Sequence, residues 1–409
     1  MKYLFHYILL YTLTTSCIQS QKSSFDVYKI PSDSKIIKIE EFDFSPDDIN
    51  DESSKFRFSE IYSDVKYIKL EVTENSSLSD ISKMEVTKDG DFIVFDRRTN
   101  SVVRFDSTGH FVNQIGRNGK SREEYIEPLD MQYDPINEQI VIYDNAAQSL
   151  KFYNIDGTYV ERIKFDFFFK KFTLVDGKYI VIFKGYSDRV KDGDIAYNYK
   201  VFDRNGLLLK EYEPYTRYRY FTPQERVFTL QNGRIYCKEW DSPLIFTFNK
   251  TEIENLYYLD FGKKQIPLEK IKNVETVKEL ENMLVNTDNV CCRKFYETKN
   301  KYIMELMANG RYPIMYMQDK QNQDNTFAKT YGYNDIKGAI DVSRFIHVNN
   351  EKVYYLYGPE IFDAFLDNLR NHREQMESLR GIKITDTDIS FLEDMSNHNN
   401  PILQICTLN

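Results

Sequence analysis

Four turns of one kind recur between Asp106 and Glu252, and their spacing limits what the chain can become. They read Phe105-Asp106-Ser107-Thr108-Gly109, Tyr153-Asn154-Ile155-Asp156-Gly157, Phe202-Asp203-Arg204-Asn205-Gly206 and Phe248-Asn249-Lys250-Thr251-Glu252. Counted from Gly109 to Gly157, Gly206 and Glu252, the steps are 48, 49 and 46 residues. An apolar run precedes each turn and an alternating strand follows it. A short-strand repeat of this length cannot bury both its faces alone. It stacks radially against copies of itself, which is the logic of a β-propeller.

Counting strands gives the number of blades. The first blade takes Met84–Thr87, Phe92–Phe95, Val102–Phe105 and Phe111–Ile115; the second takes Leu129–Tyr133, Ile140–Tyr143, Leu150–Tyr153 and Tyr159–Ile163. In both, the second strand is continuously apolar (Phe92-Ile93-Val94-Phe95, Ile140-Val141-Ile142-Tyr143), as expected of a strand sandwiched between neighbouring sheets. The third blade spans Phe172 to Tyr212 with a polar insertion at Gly185–Asp194. The fourth uses Val227–Leu230, Ile235–Cys237, Leu244–Phe248 and Leu256–Phe261, and the fifth covers Val290 to Tyr331. The sixth begins with Ala339–Val348 and Val353–Tyr357 and ends with Ile402–Leu408, which leaves it one strand short. Val65–Leu70 alternates cleanly and supplies that strand, closing the ring and removing its exposed edges.

Two segments break the strand period. Between blades four and five, Ile271, Val274, Val277, Leu280 and Leu284 recur at three- and four-residue steps behind Pro267, which predicts one amphipathic helix within 265–286. Inside blade six, Pro359 opens a second, with Ile361, Phe362, Phe365, Leu366 and Leu369 on one face and Gly381 near its end. The expected fold class is therefore all-β: a six-bladed β-propeller with two helical insertions, closed by an N-terminal strand.

The N-terminus carries an address. Lys2 precedes an apolar stretch over Tyr3–Leu13, too short to span a bilayer, and Thr14-Thr15-Ser16-Cys17 follows. Small residues before a cysteine resemble the lipobox of bacterial lipoproteins, although Thr14 stands where the strict pattern prefers Leu. The resemblance implies that residues 1–17 act as the signal, with Cys17 as the acylated anchor; an ordinary signal peptide is the alternative. No acidic run follows Cys17, which leans towards the periplasmic face of the outer membrane. Residues 18–55, rich in Ser, Lys and Asp, read as a flexible tether, with room for a short strand at Ile36–Ile39. The propeller occupies 56–409.

Composition narrows the function classes. A net charge of −9 and a pI near 5.3 leave no basic face for nucleic acid. Aromatics reach 15%, with 31 Tyr, 29 Phe and a single Trp. Packed strands use such residues, and a sugar-stacking platform is the functional alternative. Cys237, Cys291, Cys292 and Cys406 form no C-x-x-C pair. Buried thiols are expected, and a disulfide at Cys237 or Cys406 stays open.

Further residues carry a family resemblance. Phe58-Ser59-Glu60-Ile61 with Val65-Lys66-Tyr67-Ile68-Lys69-Leu70-Glu71, the loop Ile115-Gly116-Arg117-Asn118-Gly119 with Glu124-Tyr125 and Pro128, and the closing Asn400-Pro401-Ile402-Leu403 resemble the Bacteroidetes six-bladed β-propeller lipoproteins, of the NHL type. The resemblance covers about residues 56 to 409. It implies a fold and an envelope location but no general activity, and Lys120-Ser121-Arg122-Glu123 departs from that family's loop, which is richer in Gly and Pro.

Propellers bind at the channel mouth, near the start of the innermost strands. The candidates there are Asp80 and Ser82 in blade one, Asp130 in blade two, Lys171 in blade three, and Arg226, Arg293 and Arg344 in blades four to six. Four cations converging on a funnel would attract an anion. His6, His110, His347, His372 and His398 are scattered without metal-ligand spacing, and no Gly-x-Ser-x-Gly elbow occurs, so neither catalytic residues nor a cofactor are assigned. The reading is a lipid-anchored envelope module that binds a glycan, peptide or partner protein. The alternative is a lactonase- or lyase-like propeller working through a divalent cation at the channel mouth, to which Asp80 and Asp130 would contribute.

Overall fold

A computed structural model describes residues 21–39 (apart from 28 and 31) and 55–409, apart from 189, 192, 217–226, 240, 286–288, 310–311, 323–325, 330, 338–340, 343–344 and 350. The signal and Cys17 lie outside the described residues.

The chain forms a six-bladed β-propeller. Blade one pairs 81–86, 92–96, 101–105 and 111–114, and blade two 128–134, 139–144, 149–154 and 159–164. Blade three holds 171–175, 179–183, 196–203 and 208–215; blade four holds 228–231, 234–238, 244–249 and 252–260. Blade five is 290–297, 301–308, 312–319 and 326–329. Blade six joins 345–349, 352–357 and 402–408 to Tyr62–Lys69, with Gln404 opposite Tyr67 and Ile405 opposite Lys66. The early strand closes the ring as expected.

Alternation explains why the second strands are apolar throughout. Ile93 and Phe95 pack towards blade two, whereas Phe92 and Val94 pack towards blade six. Likewise Ile140 and Ile142 meet blade one while Val141 and Tyr143 meet blade three. The core is thus six clusters, one at each blade boundary, instead of one central mass. Gly109 shows how tightly the ring shuts: its φ is +94° and a Cβ there would sit 2.4 Å from the Lys69 carbonyl oxygen of the closing strand.

Four features differ from expectation. The segment read as a tether is, where described, a belt. Gln21–Lys22 adds a fifth, parallel strand to blade three and Lys35–Lys38 does so on blade four, burying Val27, Ile37 and Ile39. The outer strands left open backbone edges, and pairing satisfied them. Further on, Lys55–Arg57 pairs with Tyr331–Tyr333, which also pairs with Asp341–Val342, in a small sheet outside the blades. This takes the first residues away from the expected Ala339–Val348 strand, and the inner strand of blade six starts at Phe345.

The first helical insertion is two helices, α1 (Leu268–Lys272) and α2 (Val277–Val285), because Glu279 accepts from the Glu275 and Thr276 amides while Thr276 Oγ1 accepts from the Glu279 amide, starting a new helix. In the second, α3 (Pro359–Arg380) runs to Gly381 as expected, with a break at His372, and α4 (Asp386–Ser396) follows behind a Thr385–Asp388 capping box. The apolar faces of α3 and α4 bury Phe362, Leu366, Leu369 and Leu392 against blade six. Cys237, Cys291, Cys292 and Cys406 are buried free thiols, with Cys291 and Cys292 in different clusters.

Candidate functional site

In each blade the connections from second to third strand, and from one blade to the next, leave from one face. The Gly185–Asp194 insertion and α1 to α4 all lie on such connections. One residue position on this face repeats: the one at the end of the second strand or directly after it. In blade one it is Asp96, fully buried, which accepts from the amides of Ser79, Asp80, Arg98 and Thr99. Burial alone would raise its pKa, but these amides outweigh it and hold the carboxyl below its usual value. In blade two it is Asp144, which accepts from the Ile126 and Glu127 amides at 3.1 Å each and pairs with Lys151 at 3.2 Å. In these two blades the residue is architectural: it ties the incoming connector to the blade.

Blades three and four depart from the rule. The matching residue of blade three is Lys184, buried over the Phe167 ring at 4.3 Å, with Nζ donating to the Phe168 carbonyl at 2.6 Å and pairing with Asp188 at 2.9 Å. In blade four it is Glu239, which binds no connector amide among the described residues. It accepts from the hydroxyls of Tyr199 (2.7 Å) and Tyr186 (3.2 Å) and from Asn198 Nδ2 at 3.5 Å. Beside it stands Glu213 of blade three, which accepts from Asn198 Nδ2 at 3.0 Å and from the Tyr186 hydroxyl. The two carboxyl groups share Tyr186 and Asn198 as donors.

Every donor to this pair is neutral, and among the described residues no Lys or Arg forms an ion pair with either member. Within the described residues, two adjacent buried negative charges would lack an ion-pair partner. Burial pushes the Glu213 carboxyl up to about 7 against the pull of its Tyr186 and Asn198 hydrogen bonds; burial and then the Glu213 charge push Glu239 well up. Burial and mutual repulsion thus both favour protonation within this pair. Tyr186 (φ 54°) and Glu213 (φ 57°) both hold left-handed backbone, a conformation that costs a non-glycine residue on the order of 1–3 kcal/mol.

Of the two, Glu213 opens onto a cavity of about 420 Å³ between the belt, blade three and α1, with Glu239 buried behind it. Phe25, Tyr186 and Tyr215 form its aromatic walls, Glu213 its carboxyl, and Asp26 with Lys272 an ion pair at its rim. Tyr186 and Tyr215 meet edge to face at 5.3 Å, and the Tyr215 hydroxyl accepts from the Asp188 amide at 3.1 Å. Aromatic faces beside carboxyl acceptors suit a ligand bearing C–H faces and hydroxyl or amine donors.

At the channel mouth, Asp130 and Lys171 do come together. Asp130 Oδ1 lies 3.8 Å from Lys171 Nζ and 3.1 Å from Lys83 Nζ, and Lys83 in turn lies 3.7 Å from Glu85. Arg293 sits 3.6 Å from Glu305, which also binds Lys294 at 3.0 Å. Asp80 is exposed, with its amide on Asp96, and Ser82 is exposed on the strand 81–86 that follows. Arg226 and Arg344 lie outside the described residues. The described mouth cations are thus already paired with carboxylates. Sequence reasoning named neither Lys83, Glu85 and Glu305 nor the Glu213–Glu239 pair. Glu239 had a readable signal: it falls where the repeat puts Asp96 and Asp144.

The crystal structure of a Bacteroides fragilis protein, described as exported, is similar over 92% of this chain and 100% of its own, with a TM-score of 0.68 and 17% identity, which establishes a shared fold. A member of the DUF4221 family from Bacteroides vulgatus scores 0.46 at 11% identity (85% of this chain, 97% of that one), and virginiamycin B lyase from Staphylococcus aureus 0.37 at 7% (71% and 94%). Scores this low carry no argument about chemistry. No curated protein matches. Among the described residues no helix is long and apolar enough to cross a membrane. A family model does match, over residues 39–407, and the chain belongs to that family, the domain of unknown function DUF4934.

Proposed function

We propose that the protein is a cell-envelope propeller, anchored by acylation of Cys17, that binds a glycan, peptide or partner protein in the cavity beside Glu213. The observation that carries this reading is the cavity itself: about 420 Å³, walled by Phe25, Tyr186 and Tyr215 and floored by the Glu213 carboxyl, which shares its Tyr186 donor with Glu239. A purely architectural site would have repeated the Asp96 solution, with amides closing on the carboxylate. Pairing of the mouth cations with Asp130 and Glu305 argues against an anionic ligand and for hydroxyl- or amine-bearing ones. The test is a glycan and peptide array probed with the full chain and with Tyr215→Ala. A ligand held by the parent and lost at least tenfold by the variant supports the reading. Ligands bound equally by both sink it.

One observation favours a second reading. Two neighbouring carboxyls between which protonation is favoured are equipped to donate a proton and accept one, as acid–base catalysis requires. Turnover of a lactone or glycan that Glu239→Gln abolishes while binding survives would select it. Among the described residues no three His, Cys, Asp or Glu side chains converge as a bound cation requires.

A further inference from the structure

The belt has a second consequence, and it rests on the lipid-anchor reading above. Its first strand, Gln21–Lys22, is hydrogen-bonded in parallel to Lys210–Glu211 of blade three, and the Ser23 amide donates to the Glu211 carbonyl at 3.0 Å. Beyond it the belt stays attached: Phe25 meets the Phe246 ring at 4.9 Å, Ser242 Oγ donates to the Val27 carbonyl at 2.5 Å, and Lys35–Lys38 pairs with blade four. Only residues 18–20 separate Cys17 from the first paired residue. Four Cα steps reach at most ~14 Å, so an acyl group on Cys17 would leave blade three no farther than that from the headgroups.

The outward side of the belt has the chemistry of a membrane-facing surface. Lys22, Lys29, Lys35 and Lys38 are exposed, and Ile30 and Ile36 stand between them at 55% and 53% exposure. The two acids of the described belt are engaged elsewhere, Asp26 with Lys272 and Asp33 with Asn255 Nδ2 at 3.1 Å. Four lysines against two aspartates make this strip positive on a chain whose net charge is −9. Lysines interspersed with aliphatic side chains bind anionic phospholipid, with the charge attracting and the apolar groups entering the interface.

We propose that the outer edge of blades three and four, covered by the belt, is the face that lies against the phospholipid leaflet holding Cys17. The propeller is then held edge-on and close, with its insertion-bearing face turned sideways along the membrane instead of floating on a long leash.

The test uses the full chain, expressed and acylated, in vesicles of phosphatidylethanolamine and phosphatidylglycerol containing doxyl-labelled lipid. The native cysteines after Cys17 are buried, so a surface cysteine can be labelled selectively. Fluorophores are placed at Lys22→Cys on the belt and Lys66→Cys on blade six, across the ring. The expected result is quenching at Lys22→Cys at least threefold stronger than at Lys66→Cys. Inserting about 12 Gly/Ser residues after Ser20 should reduce that ratio towards one, as should replacing the three remaining belt lysines, Lys29, Lys35 and Lys38, by Gln. Equal quenching at both sites, or a ratio indifferent to the insertion, overturns the proposed face. Mass spectrometry of the membrane-extracted chain separates the two levels: an unmodified Cys17 overturns the anchor itself, whereas an acylated Cys17 with equal quenching overturns only the orientation.

Discussion

Replacing Glu213 by Gln should make the stability of this protein less sensitive to pH, by an amount the site allows one to work out. The Glu213 carboxyl titrates at about 7 in the fold and near 4.5 in the unfolded chain. A folded-state value that is raised means the folded protein binds this proton more tightly than the unfolded one. The associated stability is complete below pH ~4.5, declines as pH rises, and is lost once pH passes about 7. Two and a half pH units at about 1.4 kcal/mol each give a loss of ~3 kcal/mol over that window. Gln has the same shape, accepts the Tyr186 hydroxyl and offers an amide N–H to Glu239, so the site keeps its hydrogen bonds but loses this titration. Urea unfolding midpoints, measured from pH 4.5 to 8 on both proteins, make the comparison. The parent should lose ~3 kcal/mol more than the variant, with crossing curves: the variant less stable at low pH or equal, and more stable at high pH. Parallel curves would refute the claim that the pair is buried and favours protonation. Glu239→Gln serves as the companion measurement, since removing either carboxyl leaves the other without its like-charged neighbour.

Other perturbations test other parts of the structure. Lys83→Met strips Asp130, which is 2% exposed, of its nearest cation and should cost about 3–5 kcal/mol in chemical denaturation; the matched double variant with Asp130→Leu should recover most of it. Gly109→Ala forces a Cβ towards the Lys69 carbonyl at φ +94° and should destabilise by at least ~2 kcal/mol, whereas Gly193→Ala, also at positive φ but in open space, should cost less. Ile37→Ala should cost about 2–4 kcal/mol if the belt is part of the folded core, and a change within ~0.5 kcal/mol would mean that the belt detaches freely.

The repeat was legible because each blade solves the same local problem with the same residues. A four-residue apolar run, a turn with Gly at positive φ and an alternating strand are local patterns, and Phe92–Phe95 or Ile140–Tyr143 states its two buried faces without reference to anything distant. The closing strand was legible by elimination, since five strand sets were full and one was short. The belt was not. Lys35-Ile36-Ile37-Lys38 is too short for alternation to speak, and a parallel fifth strand depends on an open edge that only the assembled blade presents. Nor was α4: its acidic sequence Asp386-Thr387-Asp388-Ile389-Ser390-Phe391-Leu392 offers a narrow apolar stripe that pays off only against α3 and blade six.

The candidate site divides the same way. By its residues alone the chain determined a ring of six small sheets, an early strand to seal it, and a departure from the Asp96 and Asp144 pattern at Glu239, because these depend on local periodicity and on comparison of one repeat with the next. Tertiary structure alone decided that Glu213, written in Lys210-Glu211-Tyr212-Glu213 like any solvent-facing strand residue, turns inward beside Glu239 of the neighbouring blade, where both accept from Tyr186 and Asn198. That turn depends on left-handed backbone at Glu213, on Tyr186 from within the insertion and on Asn198 from the strand that follows it. Two carboxyls become a site only when burial removes the water that would otherwise keep both charged.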